Sequence, residues 1–83
     1  MANASAVIRS LLSRNASVSD LGDQDNLLET GILDSVGVLS LVAGLEKSFG
    51  LKIDTTYLTE DNFRSIAAVA AMVDRLLAKG KSQ

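Results

Sequence analysis

Residues 25–53 read DNLLETGILDSVGVLSLVAGLEKSFGLKI, and the architecture of the whole chain can be worked out from this stretch. From Val36 to Phe49 the apolar residues recur with the period of an α-helix, which places them on one side of it. These core positions are Val38, Leu41, Val42, Leu45 and Phe49. Gly50 then supplies a residue that commonly ends a helix. The stretch therefore predicts an amphipathic helix preceded by a polar junction at Asp34 and Ser35.

Helical periodicity also appears on both sides of this central helix. Val7, Ile8, Leu11 and Leu12 predict a first helix. Near the other end, Ser65 can cap a last helix whose apolar stripe comprises Ile66, Val69, Ala70, Val73, Leu76 and Leu77, with Gly80 beyond it. Between them, Thr59 can cap a single turn from Glu60 to Arg64. We predict an all-α fold, a small four-helix bundle of three main helices and one short helix, as a single domain over residues 1–83 with its core at about 5–78.

A long loop separates the first two helices. Residues 16–34 have no simple period, and residues 19–34 carry a net charge of −5. Five apolar residues are expected to attach this loop to the core: Leu21, Leu27, Leu28, Ile32 and Leu33. Since unstructured loops of this length are uncommon in compact domains, we expect a functional role for it.

Composition excludes several classes of function. The 83 residues are 47% apolar, which is too rich for a disordered chain, and they include no Cys and no His. Disulfides, Cys/His zinc sites and an imidazole base are thereby excluded. The net charge of −2 opposes nucleic-acid binding. Because no apolar run approaches a membrane span, we expect no membrane partner. We also expect the protein to be cytoplasmic and a monomer.

The loop carboxylates Asp20, Asp23 and Asp25 alternate along the chain but lack the Gly and the terminal Glu of an EF-hand. Solvated loop charge is the better interpretation, and no metal site is expected.

Asp34 and Ser35 stand where the polar loop becomes the central helix. Taken alone, this dipeptide predicts only a helix cap, because both side chains accept hydrogen bonds from free amides of a first turn. The residues that surround this dipeptide indicate more than a helix cap. A leucine (Leu27 or Leu28) precedes Gly31, the apolar pair Ile32-Leu33 follows, and Val36 comes after Ser35. Farther on stand Leu45-Glu46, Phe49-Gly50 and the stretch LTEDNF at residues 58–63, followed by Ser65-Ile66.

These features resemble the phosphopantetheine-binding carrier proteins, a family that includes acyl, peptidyl and D-alanyl carriers. The resemblance implies that a phosphopantetheinyl transferase attaches 4'-phosphopantetheine covalently to Ser35, assisted by Asp34. The thiol of that arm then carries an acyl or aminoacyl group as a thioester between the enzymes of a biosynthetic pathway. A protein without cysteine needs such an added thiol for thioester chemistry. By this resemblance the chain is an acyl carrier protein, with loading and downstream biosynthetic enzymes as partners, and not an enzyme.

Two departures from the common fatty-acid carriers favour a specialised pathway. Gly37 and Ser40 stand where those carriers have acidic residues, so docking to basic patches is expected to be weaker. Asp54 replaces a common proline. The sequence leaves open whether the cargo is an acyl group, a malonyl-derived group or an amino acid, and whether the pathway makes a polyketide, a nonribosomal peptide or a fatty acid.

Val36, Leu39 and Ala43 form a second apolar stripe on the central helix, away from the core stripe. We interpret it as a docking surface for partner enzymes; the alternative is that Leu39 packs under the first loop and only Val36 is exposed. Gly37 and Gly44 on the same helix indicate either that another group approaches the helix closely there or that the helix merely tolerates glycine.

Two other functions compete with the carrier interpretation. In the first, the chain is a small helical docking or regulatory module without a prosthetic group, and Ser35 is only a cap. In the second, Ser35 is the nucleophile of a hydrolase, but the chain has no plausible base for it.

Overall fold

The computed structural model describes residues 4–13 and 21–81 and is built from helices, with no strand among those residues. The elements in chain order are α1 (Ala4–Leu12), α2 (Ser35–Phe49), a 3₁₀ turn (Thr55–Tyr57), α3 (Glu60–Phe63) and α4 (Ile66–Lys81). The predicted architecture of three main helices and one short helix is confirmed. The 3₁₀ turn was not predicted, and α4 continues through Gly80 instead of stopping before it.

The core is formed where α1 packs against α2 and α4, and where α3 packs against α4. The predicted core positions of α2 divide into two groups. Leu41 and Leu45 are buried, and Val38, Val42 and Phe49 are partly buried against them. The buried apolar residues are Ile8, Leu12, Leu27, Leu33, Leu41, Leu45, Ile53, Phe63, Ile66, Val69, Met72 and Val73.

Gly44 of α2 lies against the Leu11 side chain of α1. A Cβ atom at this position would lie 2.8 Å from Cδ2 of Leu11, too close for a real contact. Gly44 therefore allows the two helices to pack, which confirms the close approach that its position suggested.

The loop before α2 packs against the core of the bundle, as its leucines predicted. Leu27 and Leu33 are buried, and Leu21, Leu28 and Ile32 pack partly buried against the core. The Leu27 amide donates to the Arg64 carbonyl at 2.6 Å, and the Ala67 amide donates to the Asp23 carbonyl at 2.9 Å. The loop thus makes backbone hydrogen bonds to the junction between α3 and α4. The first part of the predicted loop, including Asp20, lies outside the described residues.

Polar side chains order the loop locally. Asn26 Oδ1 accepts hydrogen bonds from the amides of Leu28 and Glu29, at 2.9 and 2.8 Å. Arg9 on α1 forms an ion pair with Asp23 at 2.6 Å. These contacts give the loop a defined path to the start of α2.

Predicted caps hold α3 and the start of α4. Thr59 caps α3 by accepting a hydrogen bond from the Asn62 amide, and Ser65 Oγ accepts one from the Ala68 amide. The Asn62 side chain connects three elements, because its Nδ2 donates to the Tyr57 carbonyl and its Oδ1 accepts from Arg75 on α4. Although α3 has only four residues, it is held in a defined position against α4.

The end of α2 yields a test of this fold. Gly50 has φ +63°, and the Leu51 amide donates to the Glu46 carbonyl at 3.2 Å, as in a left-handed helix end. Gly50→Ala should lower the free energy of unfolding by ~1 kcal/mol, since left-handed backbone is unfavourable for a residue with a Cβ atom. Urea denaturation followed by circular dichroism measures this.

The matched control is Gly22→Ala, where the new Cβ atom would make only ordinary contacts with the Asp25 side chain, the nearest at 3.6 Å. This variant should be at least as stable as the wild type. Equal stability of the two variants would contradict the assigned helix end.

Candidate functional site

The polar junction predicted from the sequence lies at the N-terminus of α2. Asp34 has extended backbone angles, φ −117° and ψ −173°, and its Oδ1 accepts a hydrogen bond from the Gly37 amide at 2.7 Å. Its carbonyl accepts the bond from the Val38 amide at 2.8 Å that opens the helix. Asp34 is therefore the N-cap residue of α2.

Ser35 is the first residue of the helix and is exposed. Its hydroxyl makes no hydrogen bond with any residue in the described part of the chain. The sequence allowed either residue of the dipeptide to be the cap, and the structure assigns that role to Asp34. Ser35 is therefore not the cap of α2.

The end of the loop presents Ser35 at the surface. Gly31 has φ +79°, which favours glycine, and lets the chain turn immediately before the apolar pair. Leu33, two residues before Ser35, is 2% exposed, and its amide donates to the Leu27 carbonyl at 3.0 Å. A buried anchor thus lies two residues before the exposed serine.

Gly37 leaves room for the cap. A Cβ atom there would lie 3.1 Å from Asp34 Oδ1 and 3.3 Å from Leu33 Cδ1. Both contacts are tight, so the absence of a side chain at Gly37 lets the Asp34 carboxylate sit directly over the helix end.

A groove of about 540 Å³ is lined by Ser35 and by residues of the loop, α2 and α3. We call it the Ser35 groove. Apolar side chains from these three elements and from the segment before α3 form its floor: Leu28, Leu33, Val38, Leu58 and Phe63. Its rim carries Asp34, Glu29 from the loop, and Thr59 and Glu60 from the start of α3.

Sequence reasoning missed Glu29, Thr59 and Glu60 as residues of the site. Glu29 belongs to the loop that was recognised as acidic, but no local pattern relates residue 29 to residue 60. Only the packing of the loop against α3 brings them to the same groove.

The second stripe of α2 is exposed. Val36 is 72% exposed and Leu39 61%, and Ala43 is exposed one turn farther on. The alternative in which Leu39 packs under the loop is therefore wrong. Exposed apolar side chains grouped on one face beside the site are typical of interaction surfaces.

Within residues 4–13 and 21–81, no group of three or more carboxylates is arranged to hold a metal ion. None of the helices in the described part of the chain is long and apolar enough to cross a membrane.

Comparison with known proteins agrees with this geometry. Residues 6–73, which span α1 through most of α4, match the family described as phosphopantetheine attachment site. The chain belongs to this family. It is a carrier protein, and its cofactor is covalently bound 4'-phosphopantetheine.

Two carrier proteins from bacteria are similar in sequence. Aminoacyl carrier protein 2 of Bradyrhizobium diazoefficiens is 33% identical over 75 residues, which cover 90% of this chain and 83% of the relative. The D-alanyl carrier protein of Streptococcus pyogenes is 30% identical over 59 residues, covering 71% of this chain and 73% of the relative. Both names place an amino acid on the carrier.

Two solved structures share the fold. A chain in the crystal structure of an FAD-dependent dehydrogenase has a TM-score of 0.70 and 32% identity, covering 86% of this chain and 99% of that one. The other is the glycine:[carrier protein] ligase of Bradyrhizobium japonicum complexed with its cognate carrier protein and an analogue of glycyl adenylate. It matches with a TM-score of 0.64 and 25% identity, covering 90% of this chain and 91% of that chain.

The residues at the start of α2 fit the phosphopantetheine group. The exposed serine hydroxyl can form a phosphate ester, and a phosphodiester there would meet the positive end of the helix dipole and free amides of the first turn. The group supplies the thiol that this sequence lacks.

The assignment of the cap can be tested independently of loading. Asp34→Ala should lower the free energy of unfolding by ~0.5–2 kcal/mol, because the Gly37 amide loses its acceptor. Ser35→Ala should change it by less than ~0.5 kcal/mol, as expected for a surface residue without partners. Urea denaturation of both variants measures the difference, and a larger loss from Ser35→Ala would show that the cap is assigned to the wrong residue.

Proposed function

We propose that Ser35 is the attachment residue for 4'-phosphopantetheine and that the chain carries an amino acid as a thioester on that arm. The observation that carries this proposal is the unbonded, exposed Ser35 hydroxyl at the helix N-terminus, inside a chain of the phosphopantetheine attachment family. In the attachment step the Ser35 hydroxyl loses its proton and its Oγ bonds to the pantetheine-bearing phosphorus of coenzyme A, while the diphosphate bond of coenzyme A breaks and adenosine 3',5'-bisphosphate leaves. A separate phosphopantetheinyl transferase supplies the catalysis, and this chain contributes the nucleophile in a defined position.

Asp34 has a second role in this proposal. Its Oδ1 is occupied by the Gly37 amide, while Oδ2 makes no hydrogen bond with any described residue. One carboxylate oxygen therefore caps the helix while the other remains available, next to Ser35, for the transferase or for a metal ion that the transferase brings. Both functions of Asp34 can operate together.

An amino acid is the proposed cargo because both similar carriers named above are aminoacyl or D-alanyl carriers, and one structural neighbour was solved with a glycine-activating ligase. An aminoacyl-loading ligase is accordingly the proposed first partner. The chain itself is proposed to be non-catalytic, because its sequence has no His and no Cys and therefore neither an imidazole base nor a thiolate nucleophile.

Ser35→Ala should abolish modification while leaving the helical fold intact. The experiment incubates the purified protein with coenzyme A and a broad-specificity phosphopantetheinyl transferase, and then measures intact mass and maps the modified peptide. Wild type should gain one phosphopantetheine on Ser35. Addition of ATP, glycine and a glycine:[carrier protein] ligase should then add an aminoacyl group that hydroxylamine removes.

Ser40→Ala is the matched control, since Ser40 is also exposed but lies within α2, and it should be modified at the wild-type rate. Asp34→Asn keeps a good helix cap but removes the charge, so it should slow modification without unfolding the protein. Modification of Ser35→Ala, or an unmodified wild type, would refute the proposed site.

The docking surface is proposed to be Val36, Leu39 and Ala43. Val36→Asp should lower kcat/KM for loading of the holo protein by about tenfold or more, because an unpaired carboxylate would be buried in an apolar contact. Its melting temperature should not fall, since an acidic side chain in the first helical turn interacts favourably with the helix dipole. Loading kinetics on holo protein quantified by mass spectrometry provide the measurement.

Ala71→Asp provides the control, because Ala71 is also exposed in the middle of a helix but lies on α4. It should be loaded like the wild type. The apolar-docking proposal fails if Val36→Asp is loaded normally while about 0.5 M salt abolishes loading of the wild type, since such salt screens exposed charges and not apolar contacts.

A further inference from the structure

A hydrogen-bonded turn precedes the attachment residue, and the partly buried Asn26 side chain opens it. Asn26 Oδ1 accepts hydrogen bonds from the amides of Leu28 and Glu29, at 2.9 and 2.8 Å. These two amides have no other acceptor in the described part of the chain. Asn26 therefore caps this turn as an N-cap residue caps a helix.

Two carbonyl oxygens close the turn. The Asn26 carbonyl accepts from the Thr30 amide at 3.2 Å. The Thr30 hydroxyl lies 2.8 Å from the same carbonyl oxygen and 3.2 Å from that of Leu27, so it can donate to either. The Leu27 carbonyl also accepts from the Leu33 amide at 3.0 Å. Residues 26–33 thus form one hydrogen-bonded unit, which we call the Asn26 turn.

The Asn26 turn is fixed to the bundle at one end and leads to Ser35 at the other. The Leu27 side chain is fully buried, and its amide donates to the Arg64 carbonyl at 2.6 Å. Leu33, at the other end, is 2% exposed and lies two residues before Ser35. Since the Ser35 hydroxyl has no partner among the described residues, its position is set by α2 after it and by the Asn26 turn before it.

We propose that Asn26 and Thr30 are positioning residues for the attachment of phosphopantetheine, acting on Ser35 through the bond between the Leu27 carbonyl and the Leu33 amide. This inference rests on the proposed attachment at Ser35. The attack of Oγ on phosphorus requires a defined geometry, and a small displacement of a nucleophile slows such a step strongly. The closed turn presents Ser35 to the transferase in one geometry, whereas an open turn releases the chain that leads to it.

Asn26→Ala tests this role, because it removes the acceptor of both amides and favours the open turn. If the transferase binds only the closed turn, the apparent affinity falls with the closed fraction, so the KM for the carrier should rise about three- to tenfold while kcat changes by less than about twofold. Asn26→Ser keeps a neutral capping oxygen and should restore the wild-type KM. Intact-mass measurement of attachment at several carrier concentrations, with coenzyme A in excess, gives both constants.

Thr30 supplies a second, milder pair of variants, which keeps the proposal testable if Asn26→Ala does not fold. Thr30→Val removes the hydroxyl at nearly constant shape and should raise the KM, whereas Thr30→Ser keeps the hydroxyl and should not. Hydrogen exchange of the Leu33 amide reports closure of the turn, because this amide donates to the Leu27 carbonyl. It should be faster in Asn26→Ala and Thr30→Val than in the two serine variants.

The control for global stability is Gly50→Ala, which destabilises the other end of α2 without changing the Asn26 turn. Its KM and its Leu33 exchange below the global unfolding limit should equal those of the wild type. A rise in KM equal to that of Asn26→Ala would overturn the positioning role, because loss of global stability would then explain the effect.

Failure of this inference can be distinguished from failure of the proposed function. If mass spectrometry shows no modification of Ser35 in the wild type, both are overturned. If Ser35 is modified, and folded Asn26→Ala and Thr30→Val both have the wild-type KM, only the positioning role is overturned, whatever the exchange rate of the Leu33 amide.

Discussion

The hydrogen bond from the Leu27 amide to the Arg64 carbonyl, at 2.6 Å, ties together the parts of this protein that matter for its function. It joins the loop before α2 to the junction between α3 and α4, and it lies beside the fully buried Leu27 side chain. On one side of this tether, Leu33 is anchored in the core and Ser35 is presented at the surface. On the other side, α3 is held facing the loop. The Ser35 groove exists because the loop and α3 are held together.

A chain of 83 residues without disulfides has few other means of holding such a loop. Its stability must come from apolar burial and from the satisfaction of buried polar groups. The loop contributes to both, because Leu27 and Leu33 are part of the core and the Asp23 carbonyl binds the Ala67 amide in the first turn of α4. The loop that positions Ser35 is therefore also a structural part of the bundle, and its packing keeps the loop ordered.

Asp34 fixes the start of α2 and thereby the position of Ser35. Its Oδ1 satisfies an amide of the first turn of α2, which sets the start of the helix at Ser35. Gly37 accommodates this carboxylate, since a Cβ atom at that position would press against it. Next to this cap, Val36 and Leu39 are exposed on the surface of α2.

The helices, their caps and the location of the site could be predicted from the sequence, because these features depend on neighbours within one or two turns. The apolar period placed α2 and α4, Gly50 marked the end of α2, and Thr59 and Ser65 were recognised as caps. The junction at Asp34 and Ser35 was likewise found, since a polar dipeptide before an amphipathic helix is a local signal, and its family setting gave it a function.

Contacts between residues distant in sequence could not be predicted in this way. The choice of Asp34 over Ser35 as the cap depends on backbone angles that both residues are able to adopt. The placement of Glu29 and Glu60 along one groove depends on how the loop packs near α3, over which local periodicity has no influence. Local patterns reveal elements because the forces that form a helix act over a few residues, whereas the groove arises only when burial brings separate elements together.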